Sequence, residues 1–378
     1  MRTPRAGAVS CPPAVCDGRV MRLLGSGLGA LLGVLMLAAP VRAAVPQIVA
    51  YYDGGMPVAA IPVRYLNTLI YAFEEPNAAG RCAPPSAAQQ RTIAALRQLR
   101  RHHPGLTLLV SIGGWDQAPE YSDIALTAAS RAAFARSCVR RMIEQDHFDG
   151  IDLDWEFPVQ GGMNRSRPQD RADATALVRA LRQRLDALGA KTHRHYLLTI
   201  ATPAGTWQEG GAYSVSDSYD LSAIAPEVDW FNVMTYDMNT IFSPVSGFNT
   251  PLRANPRDPE PQPQRARDNL LGAVRYYEAH GVPADKILLG VAFYGRGFTG
   301  VSARHAGLYS KYTAGFPETP WKRIAARMLS SPAWVRHWSA TAEVPCCTTR
   351  GGLFSSPSMI RTRFASRQRS CGMNICAG

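Results

Sequence analysis

The sequence predicts an α/β fold, and within that class a TIM (β/α)8 barrel. Two observations carry the prediction. Short apolar runs alternate with helical patterns across residues 44–376, the rhythm of strand–helix units wrapped around a parallel sheet. Polar and aromatic residues suited to chemistry stand at the C-terminal ends of many of those runs, where a barrel gathers its site. A doubly wound sheet would instead bind at one switch point and carry a dinucleotide fingerprint. No such fingerprint is present.

The elements follow in order. Residues 46–52 and 66–73 are the first two strands. After a polar loop with Cys82, the spacing of Ile93, Leu96 and Leu99 predicts a helix over 89–102. The third strand, 106–112, runs into Gly113-Gly114-Trp115. Ser130 is the predicted N-cap of a helix reaching 145. An acidic run forms the fourth strand. Ala176, Leu177, Leu181 and Leu185 mark a helix over 172–188, and 196–201 is the fifth strand. The sixth, 228–236, precedes a Pro-rich loop at 251–263. A helix over 269–280 is stopped by Gly281. The seventh strand, 287–294, leads into Gly295-Arg296-Gly297-Phe298. An eighth is expected further on.

Residues 1–43 read as a leader. Arg22 precedes a Gly-rich apolar run over 23–39, and Val41-Arg42-Ala43 offers a small-x-small cleavage site. A secretory signal peptide cut near Ala43 is expected, with Met21 a candidate start and an uncleaved anchor the alternative. The chain would then be secreted or periplasmic, without stable membrane association. Of the 8 cysteines, Cys11 and Cys16 lie in the leader. Cys82 and Cys138 are a possible pair, which spacing alone does not establish.

The formal charge is +12. The excess lies on Arg-rich helices near 131–141 and 171–184, with no aromatic-interleaved basic run and no phosphate loop. Nucleic acid is therefore not an expected partner. The histidines form no ligand-like cluster, and His193 and His195 precede the fifth strand, at the end of the barrel away from a site. No metal and no cofactor are expected.

The most informative stretch is Phe148-Asp149-Gly150-Ile151-Asp152-Leu153-Asp154-Trp155-Glu156-Phe157-Pro158. On a strand, side chains alternate faces, so Asp152, Asp154 and Glu156 share one face while Ile151, Leu153 and Trp155 share the other. Burying carboxylates in a row costs several kcal/mol for each unpaired charge, roughly, so a fold does not do this for stability. A divalent-ion site would draw all its oxygens from one strand, which is poor geometry. The other alternative is a strand end with a solvated acidic fringe, but the Ile/Leu/Trp face demands packing and fixes the acids along one line, which favours acid–base chemistry.

This run resembles the Asp-Gly-x-Asp-x-Asp-x-Glu signature of family 18 glycoside hydrolases, the chitinases and their relatives. The resemblance implies substrate-assisted cleavage of β-1,4 links between N-acetylglucosamine units with retention, endo-acting. It implies Glu156 as general acid with a raised pKa, and Asp154 as the residue that holds the acetamido N–H. Asp152 sits deeper and would share a proton with Asp154. Tyr236, from Met234-Thr235-Tyr236-Asp237, would hydrogen-bond the acetamido oxygen. Tyr51, Phe73, Trp115, Met234, Asp237, Tyr294 and Arg296 would contact sugar. Ser111, Gly113 and Gly114 match the third-strand motif, and Asp149 would brace the acidic strand.

The resemblance also implies a small α+β insertion between strands 7 and 8, here short, at about 299–336. It implies an eighth strand ending in Trp. The chain departs from that pattern over about 345–370, in a way that suggests a frameshift, and Cys376 falls where the Trp is expected. The expected partner is chitin or N-acetylglucosamine oligosaccharides, bound by a monomer. Alternatives are action on another N-acetylated glycan, such as peptidoglycan or N-linked chains, and a chitin-binding protein inactivated by its C-terminal segment.

Overall fold

The apolar runs do close into a ring. The computed structural model describes residues 47–117, 120–159, 163–205, 207–208, 212–213, 215–349, 352–355 and 374–377. The leader lies outside these residues, as do 350–351 and 356–370 of the off-pattern stretch. Barrel strands β1 (Ile48–Tyr52), β2 (Thr68–Glu74), β3 (Thr107–Gly113), β4 (Gly150–Asp154) and β5 (Leu197–Pro203) follow one another as predicted. A two-stranded ribbon, β6 (Trp207–Gln208) and β7 (Ala212–Tyr213), lies beyond β5. Strands β8 (Trp230–Met234) and β9 (Ile287–Val291) continue the barrel.

The predicted seventh strand divides. Its first part is β9, and Tyr294 begins a separate strand, β10 (Tyr294–Thr299), which leaves the barrel. There it pairs antiparallel with β11 (Ala314–Pro320). With β12 (Val335–Ser339), β13 (Val344–Thr349) and β14 (Gly352–Ser355) it forms a five-stranded sheet in the order β11-β10-β14-β13-β12. The insertion thus takes in chain on both sides of 299–336. Gly297 and Phe298 pair with β11 on one side and β14 on the other. The final strand, β15 (Asn374–Ala377), lies parallel between β1 and β9 and completes the closed order β1-β15-β9-β8-β5-β4-β3-β2.

The barrel has two apolar layers. Val49, Ile70, Leu109, Trp230 and Leu288 meet inside it. Ile151 and Leu153 point outward into the larger core beneath the helices, and Trp155 stacks on Tyr121 at 5.4 Å. The predicted alternation of the acidic strand therefore holds through Asp154. Helix α1 (Ala87–His102) begins at a Ser86–Gln89 capping box. Beyond it α2 (Tyr121–Leu126) leads to α3 (Ala128–Cys138). Thr127, not Ser130, caps α3: Thr127 has the extended backbone of a cap, and Ser130 bonds back to it from the third helical position. Helix α4 (Asp170–Thr192) is longer than predicted at both ends. Short α5 (Leu221–Ile224) and α6 (Gln264–Arg267) precede α7 (Leu270–Ala279), which Asn269 caps. Cys82 and Cys138 are joined in a disulfide. No helix among the described residues is long and apolar enough to cross a membrane.

Candidate active site

The C-terminal ends of the barrel strands open into a cleft of about 620 Å³. Asp154, Glu156, Tyr51, Phe73, Trp115, Met234, Tyr236, Asp237, Tyr294 and Arg296 all line it. The deeper carboxylate, Asp152, is fully buried. It accepts hydrogen bonds from four other barrel strands, across the interior as well as from beside it: Tyr51 Oη at 2.9 Å and Ser111 Oγ at 2.8 Å on one oxygen, Thr199 Oγ1 at 2.5 Å and Asn232 Nδ2 at 3.0 Å on the other. Burial raises its pKa while these donors pull the other way.

Asp154 contrasts with it. The side chain is buried, and Oδ1 has no hydrogen-bond partner among the described residues. Burial, then the charges of Glu156 and Asp152, push its pKa well above the usual carboxylate range. Among the described residues no hydrogen bond joins Asp152 to Asp154, and the charge of Asp152 is one of the causes that raise the Asp154 pKa. All four donors are spent on Asp152, so the two acids are linked by their fields, with the charge best accommodated on Asp152 and the proton on Asp154.

Glu156 lies two residues past the end of β4, at the cleft floor. Burial, followed by the charges of Asp237, Glu318 and Asp116, pushes its pKa up to about 8. A carboxyl so placed stays protonated at neutral pH and can donate. Tyr236 faces the acids from the end of β8, edge-on to Tyr294 at 6.0 Å. A Cβ on Gly290 would meet the Tyr236 ring at 2.7 Å, so that glycine makes room for the phenol. Arg296 grips Asp237 with two bonds, of 2.9 and 2.7 Å, and also donates to Glu318 at 2.9 Å.

The structural residues fall where the sequence suggests. A Cβ on Gly113, whose φ is +112°, would lie 2.0 Å from the Asp154 carbonyl oxygen. The N–H of Gly114 donates to that same oxygen at 2.9 Å. Asp149 sits at the opposite end of β4, where it accepts from Leu108 N, Arg100 Nη1 and Arg194 Nη2 at 2.9, 2.8 and 2.6 Å. It ties three segments to the base of the acidic strand.

Sequence reasoning missed several contributors. Asn232 carried a readable signal, a polar side chain in mid-strand between Phe231 and Val233, which a buried strand tolerates only for a partner. Phe242 is half-exposed at the cleft rim. Glu318 comes from β11 of the insertion, in a stretch with no distinguishing pattern. Among the described residues, no group of three or more His, Cys, Asp or Glu side chains is placed to hold a metal ion.

The chain was compared with known proteins. Residues 47–362 match the model of the family described as glycosyl hydrolases family 18. Over 263 residues the chain is 36% identical to Chitinase A1 of Niallia circulans, covering 67% of this chain and 36% of that protein. It spans about a third of the length of the first curated relatives it matches. Among solved structures it resembles a family 18 N-acetylglucosaminidase from Paenibacillus barengoltzii, with a TM-score of 0.77, 27% identity, and 88% of this chain and 94% of that one covered. A Group IV chitinase of Ostrinia furnacalis, solved with allosamidin, gives a TM-score of 0.74 at 26% identity, covering 88% and 92%.

Proposed function

The chain belongs to the glycosyl hydrolases of family 18, and from that premise we propose that it is a chitinase cleaving β-1,4-linked N-acetylglucosamine chains with retention, by substrate-assisted catalysis. One observation carries the reading. Three carboxylates stand in line from the barrel interior to the cleft, and the outermost, Glu156, has its pKa pushed up to about 8, so it brings a proton to the cleft.

The steps follow from that arrangement. Glu156 gives its proton to the glycosidic oxygen, and the C1–O bond breaks with its electron pair passing to that oxygen. The substrate's own 2-acetamido carbonyl oxygen attacks C1 and forms an oxazolinium ion. Asp154 accepts the acetamido N–H on the oxygen that carries no proton, and this holds the acetamido group against C1 as the cation forms. Its unpartnered Oδ1 suits that task. Tyr236 donates to the acetamido oxygen and aligns it. Water then attacks C1 from the face the leaving group vacated, giving a proton to Glu156, and the oxazolinium C1–O bond breaks with its electron pair returning to the acetamido oxygen, so the configuration is retained. The rings of Tyr51, Phe73 and Trp115 stack on apolar sugar faces.

Oligosaccharides of N-acetylglucosamine and chitin are the proposed partners of a monomeric enzyme. We place it outside the cytoplasm or in the periplasm, a location that the Cys82–Cys138 disulfide supports.

The test is fluorophore release from an N-acetylglucosamine oligomer glycoside by the protein and its Glu156→Gln variant. The variant should lose roughly 10²- to 10⁴-fold, the range general acid catalysis supplies. A folded parent that binds chitin without cleaving it would make this a binding protein instead.

A further inference from the structure

The ladder of β4 ends before the residue it has to aim. Register with β5 stops at Leu153 and with β3 at Asp154, whereas the general acid is Glu156. Its carboxyl makes no hydrogen bond among the described residues, so its aim is set by the backbone that carries it. That backbone is fastened one carbonyl at a time. Gly114 N donates to Asp154 O at 2.9 Å, and Tyr219 Oη donates to Trp155 O at 2.5 Å. The carbonyl of Glu156 itself is held by Asn164 Nδ2 at 2.7 Å, its one hydrogen bond among the described residues. The same nitrogen reaches Trp115 O at 3.4 Å, on the loop that carries the cleft-lining indole.

We infer that Asn164 is a positioning residue for the general acid, holding the Glu156 backbone where strand pairing has ended and fastening it to the Trp115 side of the cleft. The inference rests on the functional reading above. A side-chain amide fits the task because its one nitrogen carries two N–H donors, one for each carbonyl. The other end of the amide argues against a purely stabilising role. Asn164 Oδ1 is buried and has no hydrogen-bond partner among the described residues. An unsatisfied buried acceptor is destabilising, so the site keeps an asparagine in spite of that cost.

Because Asn164 acts through Glu156, its loss should matter only where proton donation matters. A sugar leaving group needs the proton, and a dinitrophenolate departs without it. The experiment measures kcat/KM, which reports steps up to glycosidic cleavage, for the protein, Asn164→Ala and Asn164→Asp. The substrates are the N-acetylglucosamine tetramer and the dinitrophenyl glycoside of the dimer. Asn164→Asp keeps the shape and removes the donors, which guards against misfolding of the alanine variant, and melting temperatures are recorded for both.

The expected result is a loss of about 10- to 100-fold on the tetramer, within the range general acid catalysis supplies, and less than about threefold on the dinitrophenyl substrate. Equal losses on both substrates, or none on either, would overturn the inference while leaving the functional reading intact. A parent that cleaves neither substrate would overturn the functional reading, and this inference with it.

Discussion

Replacing Gly113 by alanine tests how the site is braced. The residue holds φ at +112°, and an alanine there is strained whatever the available space. That strain costs about 1–3 kcal/mol. The steric conflict adds to it. The new Cβ would lie 2.0 Å from Asp154 O, about 1 Å inside any approach that real Cβ atoms make, and 2.9 Å from Tyr121 Cε2, just inside that limit. Something must move by that amount, and the nearest candidate is the Asp154 carbonyl, which also holds Gly114 N. A shift of about 1 Å at Asp154 carries to Glu156 and should cost about 10²-fold in turnover. Gly114→Ala is the matched control. Its φ is +108°, but its Cβ would rest 3.5 Å from the Phe73 ring, an ordinary contact. Thermal unfolding and oligomer hydrolysis would be measured for both variants. Gly113→Ala should lose stability beyond the strain and most of its turnover, while Gly114→Ala should lose the strain alone. Equal effects from the two would refute the steric argument.

Two further predictions follow from the geometry. Joint replacement of Cys82 and Cys138 by alanine frees a loop of 56 residues and should cost up to roughly 4 kcal/mol by loop entropy. A loss below about 1 kcal/mol in equilibrium unfolding would show that the bridge constrains little. Glu318→Gln removes a negative charge that favours the protonated form of Glu156, and it also leaves Arg296 less compensated. Both changes lower the Glu156 pKa. Activity on the alkaline side, lost as pH rises through about 8 in the parent, should therefore be lost at lower pH in the variant. A pH–rate profile with an unmoved alkaline limb would count against the assigned field.

What the sequence made legible was whatever repeats locally. The alternation of β4 showed that Asp152 and Asp154 face inward, because Ile151 and Leu153 demand burial. Gly113 and Gly114 were readable because glycine pairs beside a strand end mark close approach. The reading faltered where partners come from far along the chain. Thr199 and Asn232 complete the setting of Asp152 from two other strands, and only Asn232 stood out in its own segment. The division of 287–294 into β9 and β10 was hidden because both halves look like strand, and only their pairing distinguishes them. Glu318 and Asn164 belong to irregular or inserted chain, where neither periodicity nor spacing marks a residue. The cap of α3 was misread because Thr127 and Ser130 bond reciprocally, and either hydroxyl suits the position.

Among the described residues the ring closes through β15, the barrel strand that comes latest in the sequence. Until β15 leaves the ribosome, its places on β1 and β9 are unfilled edges, and while β15 is moderately near β9 in sequence it lies most of the chain away from β1. Bringing such distant segments together is slow, and an open edge in the interval can pair with another chain. Closing the barrel thus rests on a strand of four residues, Asn374–Ala377. A nascent chain halted anywhere before Asn374 carries its acids, its aromatics and its insertion, yet has not joined the two edges on which the cleft depends.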